Sequence, residues 1–249
     1  MANLQQRVTA AIEVFVRGYC AGMSRTHPYE CLRIDNIWVM RDAPRKNPRY
    51  YRKEEWVAYG VEPVRVDSVA RRHTRGRFFI CAIQEVGEPA DSLRTEYKRL
   101  GYRLLRTEPL FVHDLKRIPQ LKSPVKIVPV KSQELAERFG KVTRTRPIPR
   151  ELLTDPVPFR QYVAIDGASI VGWVRSVHAA ESAWCANMYV VSSHRRRGIG
   201  SSMLAKMLRD DRLRGVNNSV LLSSHTGALL YPQVGYEQIG TLFLFAQKK

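Results

Sequence analysis

The sequence predicts an α/β protein built from two similar units. Three observations carry this. Apolar runs of strand length alternate with helix-period segments along the whole chain. The segment Tyr97-Lys-Arg-Leu-Gly101-Tyr102 returns as Tyr231-Pro-Gln-Val-Gly235-Tyr236. Each copy is preceded by an apolar strand (Phe78–Ile83 or Val220–Ser223) and followed by a pair of short strands. Finally, a basic turn with two glycines, between Tyr189 and Ser202, joins a β-branched strand to an amphipathic helix in the second half.

Taken in order, residues 4–23 form a helix whose stripe of Val8, Ala11, Ile12, Phe15, Val16 and Tyr19 faces a core. Residues 34–40 read as one strand. Arg41 to Arg52, with Pro44 and Pro48 among its basic residues, reads as an exposed loop. A strand over 55–60 leads to a helix over 64–73, begun at Pro63, the favoured first helical position. A buried strand (78–84) and a helix (92–100) follow, then short strands over 102–106 and 110–113 separated by Glu108-Pro109. Pro119 and Pro124 mark a linker, which divides the chain into residues 1–120 and 121–249. The second part opens with a strand (125–130) and a helix over 132–140, with Ser132 at its mouth and Gly140 at its end. A Pro-rich passage through Pro158 leads to strands over 161–165, 170–177 and 184–191. Beyond Gly200 come a helix (201–214), a strand (219–223), a short helix (226–230) and strands over 236–239 and 242–246.

Composition sets the class. The chain has 249 residues, 44% hydrophobic and 26% charged, the balance of a globular protein with a real core. Arg7, Glu13 and Arg17 exclude a signal peptide or membrane helix over the first twenty residues, and no later apolar run is long enough to span. Cys20, Cys31, Cys81 and Cys185 are scattered and form no C-x-x-C, so neither zinc nor a disulfide framework is expected, and the cytoplasm is the expected compartment. The outlier is charge: 41 Lys and Arg against 23 Asp and Glu give +18. That balance suits a polyanion or an anionic cofactor. The basic residues are densest over 45–52, 71–77 and 144–150, and no zinc finger or aromatic RNA-binding strand accompanies them.

The turn after Tyr189 has a mechanical meaning. A helix N-terminus offers unpaired N–H groups and partial positive charge, so it binds phosphate. Gly198 and Gly200 permit a tight turn and close approach, and Arg195, Arg196 and Arg197 add bidentate donors. The lack of a Gly-Lys-Ser/Thr ending excludes a P-loop, and the first glycine of a dinucleotide fingerprint is missing. Arg195-x-x-Gly198-x-Gly200 resembles the acyl-CoA motif of the GNAT acetyltransferase superfamily, and Tyr-x-x-x-Gly-aromatic resembles that family's C-terminal motif, present here in both halves. The resemblance implies tandem GNAT-like units, each a mixed, mostly antiparallel sheet flanked by helices. The first unit is a degenerate copy: its helix opens Gly60-Val61-Glu62-Pro63, where Glu62 repels phosphate and Pro63 removes an N–H.

For the second unit the resemblance implies an N-acetyltransferase using acetyl-CoA. Met188, Tyr189 and Val190 would bind the pantetheine arm through their backbone, and Arg195, Arg196, Arg197, Gly198, Ile199, Gly200 and Ser201 the diphosphate. Tyr231 would protonate the departing thiolate. The asparagine usual seven positions before that tyrosine is Ser224. The face toward the acetyl group should present Trp184, Ala186 and Met188. Glu181 is the nearest carboxylate for a general base, with His225 a water-mediated alternative, and the attack on the thioester is taken as direct, by a primary amine. Cys185 faces away from Trp184 by strand alternation and reads as core. Trp173 and Arg175 share a face and are candidates to line an acceptor pocket. No metal is expected. Two other classes remain open: a basic nucleic-acid-binding protein using the arginine cradle, and a CoA-binding regulator without catalysis.

Overall fold

The computed structural model describes residues 3–154 and 158–248. The Pro-rich passage foreseen before Phe159 lies partly outside them, at residues 155–157. In chain order the elements are α1 (Leu4–Met23), β1 (Tyr29–Ile34), β2 (Ile37–Asp42), β3 (Glu54–Tyr59), α2 (Pro63–His73), β4 (Phe78–Glu85), α3 (Ala90–Arg99) and β5 (Tyr102–His113). They continue as β6 (Lys126–Pro129), α4 (Gln133–Thr143), β7 (Phe159–Asp166), β8 (Ser169–Ala179), β9 (Ser182–Val190), α5 (Ile199–Arg212), β10 (Asn218–Leu222), α6 (His225–Ala228) and β11 (Glu237–Gln247).

These elements form two compact units. The first holds the residues up to Phe111 together with Leu222–Ala228 and the chain from Gln238 onward; the second holds Val112–Leu221 and Leu229–Glu237. A boundary at residue 120 therefore does not describe the fold, because the last strand returns to the first unit. There β11 pairs antiparallel with β4, from Gly240 opposite Glu85 to Ala246 opposite Phe79. Nor is the segment at Pro119 and Lys122 a free linker. Their carbonyls accept hydrogen bonds from Arg209 and Ser202 of α5.

In the first unit the strand order is β1-β2-β3-β4-β11-β5. Asn3 and Gln6 cap α1 reciprocally, each side chain accepting the other's backbone N–H (2.8 and 3.1 Å), which starts the helix where its apolar stripe begins. The single strand foreseen over 34–40 is instead a hairpin. Asp35 and Asn36 both take positive φ (48° and 65°) and turn β1 into β2, as a two-residue primed turn requires. Alternation along β3, β4 and β11 then sends Trp56, Ile80, Phe243 and Phe245 to one face, where Val66, Ala70, Tyr97 and Tyr102 of the α2–β5 stretch close the core. The opposite face receives α1.

Two pairs of short strands foreseen from sequence are each one continuous strand. Pro109 sits inside β5, its carbonyl accepting the N–H of Ser223 (3.1 Å). Gly240, which reads as a turn between two strands, lies within β11 at ordinary strand geometry. A Cβ there would stand 2.6 Å from the carbonyl oxygen of Gln84, so the glycine serves close backbone approach.

The second unit orders its strands β10-β9-β8-β7-β6. Neighbours are antiparallel except β9 and β10, which run parallel, just as β3 and β4 do in the first unit. Ser132 caps α4 as foreseen, but the helix passes Gly140 and ends at Arg144 in the left-handed region (φ 55°). Gly140 is needed elsewhere: a Cβ would meet the Thr145 oxygen at 2.9 Å. The repeat recurs as geometry. Tyr97 meets Tyr102 edge-on at 5.8 Å and 85°, Tyr231 meets Tyr236 at 5.7 Å and 77°, and the glycine before each second tyrosine takes φ 85° or 97°.

Asp211 of α5 is fully buried, accepting from Ser176 Oγ at 2.7 Å, and burial pushes its carboxyl up to about 7. The folded state therefore holds a proton that the unfolded state releases near pH 4. This group's contribution to stability falls as pH rises from about 4 to about 7 and is constant above. Asp211→Asn is expected to flatten the unfolding midpoint across that window and raise it by a few degrees at pH 8. An unchanged pH profile in thermal melts would remove Asp211 as the cause.

Candidate functional site

The site is built where β9 ends and α5 begins. Strand β9 pairs with β10 only over Ser182–Trp184. Beyond Trp184 its opposite edge stays bound to β8, through Ala186 opposite Arg175 and Tyr189 opposite Trp173, while the edge toward β10 carries no recorded strand pairing among the described residues. Between those two pairs β8 spends one residue and β9 two, Asn187 and Met188. That is a β-bulge, with Asn187 at φ 54°.

The bulge corrects one expectation. Without it Met188 would share a face with Trp184 and Ala186. With it Met188 turns to α5, where its Cε lies 3.1 Å from the position a Cβ on Gly200 would take. Tyr189 turns to the other face, stacked on Trp173 at 4.6 Å, and Phe139 of α4 meets Trp173 edge-on at 6.0 Å. Trp173 and Arg175 share this face, as foreseen. Arg175 is buried there, donating Nε to Gln161 (3.0 Å) with its guanidinium 4.7 Å from the Phe159 ring. Cys185 lies on the α5 face, buried beside Tyr236, and burial pushes its thiol up to about 12. It is a core residue.

After β9 a short 3-10 turn (Ser192–His194) delivers the three arginines, and the structure gives them different tasks. Arg195 donates Nε to the Val190 carbonyl (2.9 Å) and covers the Tyr189 ring at 5.4 Å. Arg197 stands 3.7 Å from Asp166, which also faces His194 at 3.3 Å. Arg196, in the left-handed region at φ 60°, is exposed and has no acidic partner among the described residues. Helix α5 then starts two residues earlier than expected, at Ile199, with Gly198 as N-cap at φ 77° and no side-chain cap. Its first N–H groups have no intrahelical acceptor and no side chain occupying them. Gly200 follows inside the first turn, and its missing Cβ clears Met188 and Leu230 (3.1 and 3.2 Å). A diphosphate fits this chemistry: oriented amides, a helix dipole, one free arginine and no Cβ at two positions.

Tyr231 is buried, opening a 3-10 turn (Tyr231–Val234), and burial holds its phenol well above the usual tyrosine range. Sequence reasoning missed what fixes that turn. His113 is buried, accepts the Leu115 N–H at Nδ1 (2.8 Å) and donates Nε2–H to the Val234 carbonyl (2.9 Å). It is thus a neutral Nε2–H tautomer, and burial pulls its pKa down. Gly235 completes the lock, since a Cβ would stand 2.8 Å from His113 Nε2. The only sequence signal was the glycine itself.

The remaining candidates are placed as follows. Glu181 is exposed in the β8–β9 turn, accepting from Asn217 Nδ2 (3.2 Å). About 20 Å of strand separate it from the bulge. Ser224 caps α6, its Oγ accepting the Gly227 N–H (3.2 Å), and His225 is hydrogen-bonded to Thr107 Oγ1 at 2.6 Å. In the first unit the corresponding helix α2 has Glu62 at its N-cap position, also without a side-chain cap, and opens on Pro63, with no arginine before it. No cluster of metal-ligating side chains occurs among the described residues, and none of their helices is long and apolar enough to cross a membrane.

A parallel strand pair that parts after Trp184, before a bulge, and a helix start without a side-chain cap are the features that position this site, and comparisons with known proteins identify the fold that carries them. Residues 158–238 match the family model described as an acetyltransferase (GNAT) domain. A GCN5-related N-acetyltransferase from Kribbella flavida aligns over 95% of both chains at 14% identity and a TM-score of 0.66. A functionally unknown conserved protein from Staphylococcus epidermidis ATCC 12228 aligns over 91% of this chain and 97% of its own, at 15% identity and TM-score 0.61. A GCN5-related N-acetyltransferase from Sphaerobacter thermophilus aligns over 84% of this chain and 75% of its own, at 19% identity and TM-score 0.56. A comparison with curated proteins gives no match. The chain therefore has the GNAT fold, a mixed, mostly antiparallel sheet flanked by helices, and the matched domain supports acyl transfer in general.

Gly235→Ala is expected to lower the unfolding midpoint, with about 1–3 kcal/mol lost to the strained φ and to the clash with His113. A midpoint equal to that of the parent protein contradicts the lock.

Proposed function

We propose that this protein transfers an acetyl or similar short acyl group from acetyl-CoA to a primary amine, with the chemistry in the second unit. The observation that carries the reading is the uncapped start of α5 on a left-handed Gly198, beside a β9 edge without a strand partner. Acetyl-CoA, when bound, supplies an activated thioester. The chain's residues do the rest. The amides at Ile199, Gly200 and Ser201 hold the diphosphate together with Arg196. Arg195 and Arg197 brace the loop through Val190 and Asp166. The edge of β9 over Met188–Val190, where Arg195 already holds the Val190 carbonyl, offers its remaining backbone groups to the amides of the pantetheine arm, as a sheet edge does to a peptide. Tyr231 keeps its proton at neutral pH because burial disfavours the phenolate, so it has one to give to a departing thiolate.

The amine attacks directly, and Cys185 forms no covalent intermediate because its thiol is buried and protonated. Glu181 is not given the role of base in this reading, since it is solvated and stands a strand's length from the bulge. The amine enters neutral, which predicts a rate that rises with pH toward the amine's own pKa. The first unit lacks the cradle and completes the protein without binding CoA. Four free thiols fit a reducing compartment such as the cytoplasm.

Two variants separate binding from chemistry. Gly198→Glu places an acidic side chain at a φ of 77°, and is expected to abolish acetyl-CoA binding in calorimetry while circular dichroism stays unchanged. A folded variant with parental affinity sinks the cradle. Tyr231→Phe is expected to lower kcat by about 10²-fold or more with CoA affinity within threefold. Equal kcat removes Tyr231 from the mechanism.

A further inference from the structure

The charge of +18 is not explained by one diphosphate site. In the first unit it is sorted by the fold. Strands β2, β3 and β4 are in register such that Asp42, Glu54 and Phe78 lie at one end of the sheet, with Tyr29 opposite Asp42 and Ala246 opposite Phe79. Five stretches remote in sequence meet at that end: residues 24–28, 43–53, 71–77 and 98–103, and Lys248, whose N–H donates to the Gly101 carbonyl (2.9 Å). Together they contain fourteen Lys and Arg and no Asp or Glu. At the other end of the same strands the segments over 35–36, 60–62 and 86–91 contain Asp35, Glu62, Glu88 and Asp91, and no Lys or Arg. The unit is electrically polar along its strands.

Acids organise the basic end and pair with only part of it: besides the two pairs of Asp42, Arg71 meets Asp67 at 2.7 Å and Arg75 meets Glu30 at 3.6 Å. Asp42, its side chain fully buried, binds Arg45 and Arg52 at 2.8 and 2.5 Å, which pins the 43–53 loop. Their pairing holds its carboxyl well below the usual range against the cost of burial. Glu54, also buried, accepts the Arg75 N–H at 2.9 Å, and Arg75 donates to the Asp42 carbonyl at 2.9 Å, which ties the 71–77 stretch to the first loop. Outside this scaffold Lys46, Arg49, Arg72 and Arg77 are exposed and have no acidic partner among the described residues. Tyr50, between Arg49 and Tyr51 on the same loop, is 70% exposed.

We infer that this end of the first unit is a docking surface for single-stranded nucleic acid. Ten of the fourteen cations are arginines; Arg45, Arg52, Arg71 and Arg75 are paired with acids, while the exposed Arg49, Arg72 and Arg77 present forked donors that fit phosphate oxygens. The loops are braced before any ligand arrives, so little ordering is needed on binding. An exposed tyrosine ring among them gives a base a surface to stack on. The surface consists of short loops and helix C-termini. Among the described residues it presents no protruding helix for a duplex groove, and no apolar face beyond Tyr50 that would enter a lipid bilayer. The inference does not depend on the acyl-transfer reading, because the residues are different.

The test is fluorescence anisotropy of the full chain with a labelled 20-nucleotide single-stranded RNA of mixed sequence, from 50 to 300 mM salt. R49E/R72E/R77E is expected to weaken binding at least tenfold at 100 mM salt and to flatten the slope of log Kd against log salt by about 2. A charge-matched control in the second unit, K126E/K141E/R150E, is expected to stay within threefold of the parent. Tyr50→Ala should weaken binding at least fivefold with the salt slope unchanged. Thermal melts check folding, and the Arg→Gln triple, with a smaller loss in the same order, replaces the reversal if that melts early. Absence of binding by the parent protein overturns the inference. Equal losses in both triples do so as well, since they would reduce the effect to net charge. Tighter binding to a duplex of equal length, or to vesicles of 70% phosphatidylcholine and 30% phosphatidylserine, overturns the assignment of partner.

Discussion

Much of the second unit turns on how one helix begins. Helix α5 needs a partner for its first N–H groups, and the sequence supplies Gly198, a cap without a side chain, in place of the serine or aspartate that would satisfy them. That omission is tolerable because the rest of the helix is firmly held. Ile199, Met203, Leu204, Met207 and Leu208 are buried, and Met203 packs where Gly172 of β8 lacks a Cβ. Burial of that face stabilises the helix by several kcal/mol, against roughly 1 kcal/mol for a missing cap. Packing therefore lets the N-terminus stand without a side-chain cap.

The strand before it follows the same logic. A bulge at Asn187 costs β9 a regular ladder, yet it turns Met188 under the helix start and Tyr189 onto Trp173. Parting from β10 after Trp184 leaves that edge of β9 without a strand partner among the described residues. In the first unit the parallel pair β3 and β4 stays in register from Glu54 to Tyr59, and Glu62 and Pro63 stand where the cradle would be. Similar elements in similar order thus leave a strand edge and a helix start open in one unit and a continuous parallel pair in the other.

How much of this was legible depended on the range of the interaction that decides it. Helix α1 was legible to the residue because its stripe and its Asn3 cap are local. The arginine-glycine turn was legible for the same reason, since glycine and charge act within six residues. The hairpin at Asp35-Asn36 had a local signal that the surrounding apolar run concealed. Gly240 and Pro109 misled because each reads as a turn locally, while close approach to Gln84 and the long run of β5 decide otherwise. The β11–β4 pairing joins residues more than 150 apart, and no local pattern announces it. His113 is the clearest case. A histidine at a strand end carries no message until Val234 and Gly235 arrive beside it.

The central claim is that the start of α5 takes its ligand by the diphosphate. The most direct measurement compares calorimetric titrations of coenzyme A and of pantetheine, which shares the thiol arm and lacks the adenosine, the diphosphate and the ribose 3′-phosphate. The account predicts micromolar binding of coenzyme A, one per chain, and at least 100-fold weaker binding of pantetheine. Arg196→Ala should narrow that gap. Equal affinities for the two compounds, or no binding of either, would contradict it.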